Sequence, residues 1–230
     1  HAAAAASSAL EERGLERVAI VDWDVHHGNG TQDIWWEDNR VLTVSIHQDR
    51  NFPVDSGFVE ERGSGKGKDF NLNIPLPPGS GDLVYETALN EIVIPALEEF
   101  KPELIILSTG YDAAMMDPLG RMMVTTSGYY NMTQALLAAA DSLSEGNLVV
   151  VQEGGYCQYY VPFCGLAVLE SLTGEDSGFK DEYAEIVEGQ NRKTFTQEQI
   201  EYLRKAYTTH FKEDSPALES LSPATSDGAV

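Results

Sequence analysis

Apolar and polar positions change period along this chain in a repeating order. The apolar run Val18-Ala19-Ile20-Val21 opens a block over 18–25 that reads as a buried strand. Apolar runs at 41–46, 104–107 and 148–151 read the same way, and 70–76 alternates as an edge or short strand before Pro77-Pro78-Gly79. Helical spacing covers 7–17, with Gly14 near its end, and 84–100, where Pro95 predicts a kink or a local end. Further helices are predicted over 126–143 and from 162 to 172, with a short segment at 31–38 bearing Trp35 and Trp36. A charged helix with a weak tail is predicted over 191–216. The Gly-rich stretch 48–69 has no regular period and reads as a long loop. Strand, polar loop and helix in this order predict an α/β domain with a mostly parallel sheet. Sites in such sheets form beyond the carboxyl ends of the strands.

Three polar clusters stand at predicted strand ends: 22–30, 109–112 and 153–156. In the first, Asp22, Asp24 and His26 lie two residues apart, and extended backbone would put all three on one side. Three ionisable groups on one face of a core strand are costly without a compensating partner, and a metal is the simplest one. Asp24 and His26 form the local pair, and Asp112 can complete a zinc-type set of carboxylate and imidazole ligands. Each cluster, taken alone, is equally a turn. Gly63-Ser64-Gly65-Lys66-Gly67 looks like a phosphate loop, but no strand feeds it and no Gly-Lys-Ser/Thr ending is present.

Length and composition narrow the picture. A chain of 230 residues suits one large domain, with a weakly structured tail expected over 206–230. No run is long enough to span a membrane, and the start, His1 followed by five alanines, has no secretory pattern. Two cysteines, Cys157 and Cys164, form no disulfide framework, which points to a reducing, cytoplasmic setting. With 37 acidic residues against 15 Lys plus Arg, the formal charge is −22. That charge disfavours nucleic acid and anionic membrane and favours a cationic substrate, although solubility alone also explains it.

Four motifs, in order, resemble the histone deacetylase superfamily, and in particular bacterial class II-like deacetylases and acetylpolyamine amidohydrolases. They are Asp22-Trp-Asp-Val-His-His-Gly-Asn-Gly-Thr31, Val44-Ser-Ile-His47, Gly110-Tyr-Asp112 with Asp117-Pro-Leu-Gly120, and Glu153-Gly-Gly-Tyr156. Asn29 and the run ending at Arg121 lean toward the class II-like branch. The resemblance implies an arginase-like three-layer α/β fold and zinc-dependent hydrolysis of an N-acetyl amide, acetyl-lysine or acetylpolyamine, to acetate and a free amine. It makes Asp24, His26 and Asp112 the zinc ligands and Tyr156 the donor to the developing oxyanion. It implies a structural potassium ion at Asp22, the carbonyls of Asp24 and His26, Ser45 and Ile46, and more weakly a second cation near Trp35, Asp38, Val41 and Phe70. Phe52, Gly154 and Gly155 fall where the family lines its substrate tunnel. His27 and His47 read as structural, buried histidines.

The family pattern also has an upstream tandem His-His-Ala, which supplies general base and acid. It is not intact here, and His1-Ala2 stands as a remnant of it or as an unrelated helix residue. The fold is therefore expected to be N-terminally incomplete, with its sheet completed by further chain, by dimerisation, or by a rearranged N-terminus. Two functions follow: an active zinc hydrolase, or a catalytically impaired zinc-binding relative with a binding or structural role.

Overall fold

The computed structural model describes residues 1–184 and 193–210. Five parallel strands form one sheet: β1 (Val18–Asp22), β2 (Val41–Gln48), β3 (Asn71–Leu76), β4 (Leu104–Thr109) and β5 (Leu148–Gln152), in the order β3-β2-β1-β4-β5. The chain lays down β1 to β3 in one direction and then crosses to the other side of β1 for β4 and β5. The reversal puts a crevice between β1 and β4 at their carboxyl ends, where open α/β sheets bind ligands.

Successive β1 residues serve opposite faces of the sheet. Val18 and Ile20 pack with Val41, Ile106 and the buried Ala2, Ala6, Ala9 and Leu10 of helix α1 (Ala2–Glu11) and Trp35 of α2 (Asn29–Trp35). Ala19 and Val21 pack on the opposite face, within the cluster that includes Tyr85, Leu89, Leu97, Tyr129, Met132 and Leu136. Those residues come from α3 (Asp82–Ala88), a π turn (Leu89–Val93), α4 (Ile94–Phe100) and α5 (Thr126–Leu143). Helices α6 (Val161–Thr173) and α7 (Lys193–His210) complete that layer. The result is a three-layer arrangement; its parallel sheet is what the sequence pattern predicts, and its three layers are what the family resemblance implies.

Several boundaries differ from the expectation. Helix α1 starts at Ala2 rather than 7 and stops at Glu11, because the alanine run is the best helix former and Gly14 turns at φ +72°. Strand β1 ends at Asp22 rather than 25, so Asp24 and His26 are not strand residues. Pro95 does not break its helix: the π turn over Leu89–Val93 precedes it, and Pro95 sits in the first turn of α4, where its missing N–H matters least. Residues 206–210 of the expected tail are helical, and residues 211–230 lie outside the described residues. Strand β5, expected to be buried, is only partly so: β1, β2 and β3 are buried throughout, whereas Val149 on this sheet edge is 44% exposed.

This asymmetry gives a stability test. Leu107→Ala, at a fully buried position of β4, should cost about 2–5 kcal/mol, whereas Val149→Ala on the open edge should cost under about 1 kcal/mol. Urea denaturation of both variants checks the contrast.

Candidate metal centre

Two aspartate turns shape the chain as it leaves β1. Asp22 Oδ1 accepts the Asp24 N–H at 2.9 Å, and Asp24 Oδ1 accepts the His26 N–H at 2.9 Å. Each carboxylate thus takes the N–H two residues on, a local bond that competes with the sheet ladder and ends the strand. The loop after β4 is tied to this one by the Val25 N–H, which donates to Asp112 Oδ1 at 2.8 Å.

These turns bring Asp24, His26 and Asp112 together, with one potential ligand atom from each lying within 4.8 Å of the others. His26 Nδ1 is 3.0 Å from Asp24 Oδ1 and 3.1 Å from Asp112 Oδ2. Two glycines make room. A Cβ on Gly154 would stand 2.5 Å from Asp24 Oδ2 and still closer to Asp112 Oδ2, and one on Gly110 would stand 2.7 Å from Asp112 Oδ1. The bare Gly154 backbone instead donates its N–H to Asp24 Oδ2 at 2.9 Å.

Electrostatics mark the same point. The neighbouring Asp112 and then Asp24 carboxylates, 3.1 and 3.0 Å away, raise the His26 imidazole to about 10. Burial pushes the Asp112 carboxyl up. Burial opposes ionisation of Asp24 too, but hydrogen bonds from His26 and from the Gly154 N–H hold it below its ordinary value. Asp112 Oδ2 is buried and makes no hydrogen bond by ordinary geometry. Two carboxylates, an imidazole and an orphaned buried oxygen are a donor set that fits a divalent cation of the zinc type. Asp22, beside this group, is buried, and burial and then the charge of Asp24 push its carboxyl well up.

Two aromatic rings flank His26. Phe52, from the β2–β3 loop, and Tyr156, from the loop after β5, each stand edge-on with ring centres 6.2 Å from it. Both project into solvent, with 68% and 52% of their surface exposed. Burial, Asp112 and Asp24 raise the Tyr156 phenol, so it keeps its proton at neutral pH. Asp117 fixes the Tyr156 backbone by accepting the N–H groups of Tyr156 at 2.7 Å and Cys157 at 3.2 Å. Gly155, between the metal group and Tyr156, turns at φ +132°, and a Cβ there would press on Tyr111.

Other histidines do not join the group. His27 and His47 are buried with ring centres 4.8 Å apart. His47 Nε2–H donates to the Gly57 carbonyl at 3.0 Å, and its Nδ1 takes the Ser45 hydroxyl at 2.9 Å. His27 Nε2 faces Gln32 Oε1 at 3.2 Å, and its Nδ1 faces the Ser56 hydroxyl at 3.1 Å. His1 caps the start of α1, is 84% exposed, and has Nδ1 3.7 Å from Glu153 Oε1. Ser45 is buried within β2, beside Ile46, and also accepts the Gly28 N–H at 3.4 Å.

Comparison with known proteins agrees with this architecture. The family profile for the histone deacetylase domain matches residues 1–172. The chain belongs to the histone deacetylase family. Among its relatives, a histone deacetylase-like amidohydrolase of Pseudomonas aeruginosa is 47% identical over 186 residues, covering 81% of this chain and 49% of that protein. A probable deacetylase of Archaeoglobus fulgidus is 43% identical over 168 residues, covering 73% of this chain and 46% of that protein. The solved structure of the histone deacetylase Clr3 superposes with a TM-score of 0.73 at 33% identity, over 90% of this chain and 34% of that one. The chain thus spans about half the length of the curated histone deacetylase relatives it matches.

Sequence reasoning missed the roles of Asp117 and of the glutamate at 61, described below. One signal was visible: Asn71 and Asn73 put two amides on one side of β3, a strand buried throughout.

Two tests follow. Gly154→Ala should lower divalent-metal affinity at least about tenfold by crowding both carboxylates, as read by chelator competition. The second concerns acid stability. Burial, and then the neighbouring His27, push the His47 imidazole down to about 3. Unfolded histidine binds its proton near 6.5, so between these values the unfolded state holds the extra proton. Stability should therefore fall as the pH drops from 6.5 toward 3, by up to about 1.4 kcal/mol per pH unit from this group. Melting curves in chelator should show a shallower fall for His47→Gln.

Proposed function

We propose that this chain carries the catalytic site of a zinc-dependent hydrolase that cleaves N-acetyl amides to acetate and a free amine. The observation that carries the proposal is the convergence of Asp24, His26 and Asp112 at the β1–β4 crevice with Tyr156 beside them. Asp24, His26 and Asp112 would hold the zinc, which when bound supplies a Lewis acid for the acyl carbonyl and lowers the pKa of water.

The protein's own groups would do the rest. Tyr156, still protonated, would donate its O–H to the oxygen on which negative charge develops as water adds to the acyl carbon. The C–N bond would then break, and the leaving nitrogen would take up the proton given up by the attacking water. Phe52 and Tyr156, either side of His26, would form apolar walls around an aliphatic amine stem, with Gly154 and Gly155 beneath it. A structural potassium ion held by Asp22, the carbonyls of Asp24 and His26, Ser45 and Ile46 would compensate the buried Asp22 carboxylate, whose ionisation burial opposes.

A class II-like, amidohydrolase type of activity is favoured by the identity to the Pseudomonas aeruginosa relative. Acetylated polyamines suit a chain of formal charge −22, because their remaining amines are cationic. Among the described residues no helix is long and apolar enough to cross a membrane.

A second reading rests on the histidines. Both ring nitrogens of His27 and of His47 face polar partners, and exposed His1 faces Glu153. Neither His27 nor His47 has a ring nitrogen free to carry a proton at the centre, and this supports a zinc-binding relative without turnover as the second reading.

Acetate release from an acetyl-lysine peptide and an acetylated polyamine, with and without zinc, separates the two readings. Tyr156→Phe should lower kcat about 10²–10³-fold with zinc content intact. Asp112→Ala should lose the zinc and the turnover together. Zinc bound at one equivalent with no turnover on either substrate would overturn the hydrolase reading and favour the second one.

A further inference from the structure

We infer that Glu61 is a positioning residue for the substrate wall, pinning the 52–61 loop onto the His27–His47 pair so that Phe52 stays against His26. The inference rests on the hydrolase reading in one respect: that Phe52 walls the substrate.

Neutral donors converge on one oxygen of Glu61. Its Oε2 accepts from the Gly57 N–H at 2.8 Å, from Gln32 Nε2 at 2.9 Å and from Asn73 Nδ2 at 3.3 Å. A charged acceptor makes such bonds stronger than neutral pairs. These donors come from α2, from β3 and from the loop itself, so one carboxylate ties three segments together.

Gln32 fixes the protonation pattern around it. Its Nε2 donates to Glu61, so its Oε1 faces Asn71 Nδ2 and Asn73 Nδ2, both at 2.8 Å, and His27 Nε2. An amide oxygen only accepts, so His27 carries its proton on Nε2. Its Nδ1 is then an acceptor, and the Ser56 hydroxyl donates to it at 3.1 Å, in preference to Glu61 at 3.4 Å.

The loop is pressed onto the histidines with no clearance. Gly57 turns at φ +91°, and a Cβ there would stand 2.5 Å from His47 Nε2 and 2.9 Å from His27 Cγ. The Gly57 N–H goes to Glu61, and its carbonyl takes the His47 Nε2–H. The last link is backbone: the His27 N–H donates to the Phe52 carbonyl at 3.1 Å. The path from Glu61 therefore runs through Ser56, Gly57 and His27 to Phe52 without a hydrogen bond to the side chains of Asp24, His26 or Asp112.

The test is a cycle of variants on the full chain loaded with zinc. Glu61→Leu keeps the bulk and removes the acceptor. KM for the acetylated amine should rise about tenfold, with kcat within about twofold and zinc content unchanged. Glu61→Gln, which can still offer an oxygen to the same donors, should restore most of the loss. Glu61→Asp, which retracts the carboxylate by one methylene, should give a smaller rise. In a Phe52→Ala background Glu61→Leu should change KM little further, because both act through one wall. An unchanged KM, a loss confined to kcat, or full additivity with Phe52→Ala would overturn the inference.

Hydrogen exchange reads the same linkage without turnover. Glu61→Leu should speed exchange of the His27 amide about tenfold and leave the Val25 amide, bonded to Asp112, as it was. Equal rates at His27 in both proteins would refute the positioning role even in a chain that turns over no substrate. An inactive parent protein with the expected exchange pattern would refute the hydrolase reading alone.

Discussion

Two carboxylates held side by side next to a core strand demand positive charge between them, and the carboxyl end of the sheet is organised around that demand. Asp24 and Asp112 share His26, whose Nδ1 lies 3.0 and 3.1 Å from their oxygens. Coulomb repulsion between such groups grows as water is removed, and only a proton or a cation in the gap relieves it. The imidazole's strong hold on its proton is the same demand seen from the other side. A metal would displace that proton, so metal affinity should carry the pH dependence typical of sites whose ligands must first deprotonate. Gly110 and Gly154 matter because they add nothing: any side chain there would occupy space that the carboxylates need.

Around this charged centre lies a neutral one. His27 and His47 are buried, burial lowers the proton affinity of both, and amides, hydroxyls and carbonyls surround them. The two layers use histidine in opposite senses. One imidazole sits between carboxylates that favour its charged form, and the other two are held toward the neutral form by burial, against the pull of Glu61 on His27. Tandem histidines at 26 and 27 therefore have unlike chemistry although they are neighbours in sequence.

Much of this was legible in the chain. The apolar runs at 18–21, 41–46, 104–107 and 148–151 each fall within a strand, and helix 126–143 agrees with α5 at both ends. Asp24, His26 and Asp112 were identifiable as a candidate group from residue type and from their places after β1 and β4. The reason offered for their convergence was wrong. Period-two alternation would need the strand to run through His26, whereas the Asp22 and Asp24 side chains capture backbone N–H groups and end it. That competition is local and readable in principle from Asp-X-Asp-X-His. The Glu61 linkage was not readable, because its partners Gln32, Gly57 and Asn73 come from three segments that only the folded sheet brings together. Helix boundaries failed where propensity and punctuation disagreed, as at the alanine run of α1 and at Pro95.

The bond from the Val25 N–H to Asp112 joins positions 87 residues apart. Neither loop can present its ligands until β1 and β4 have found their parallel register, so the centre has no local precursor in the unfolded chain. A cation bound by this group would for that reason couple its binding to sheet assembly. Any ion held only by the folded group stabilises the fold by about 2.7 kcal/mol when its free concentration is a hundred times its dissociation constant. A bound ion would thus act as a latch on the central strand pair, and a chelator titration would measure how firmly those strands are joined.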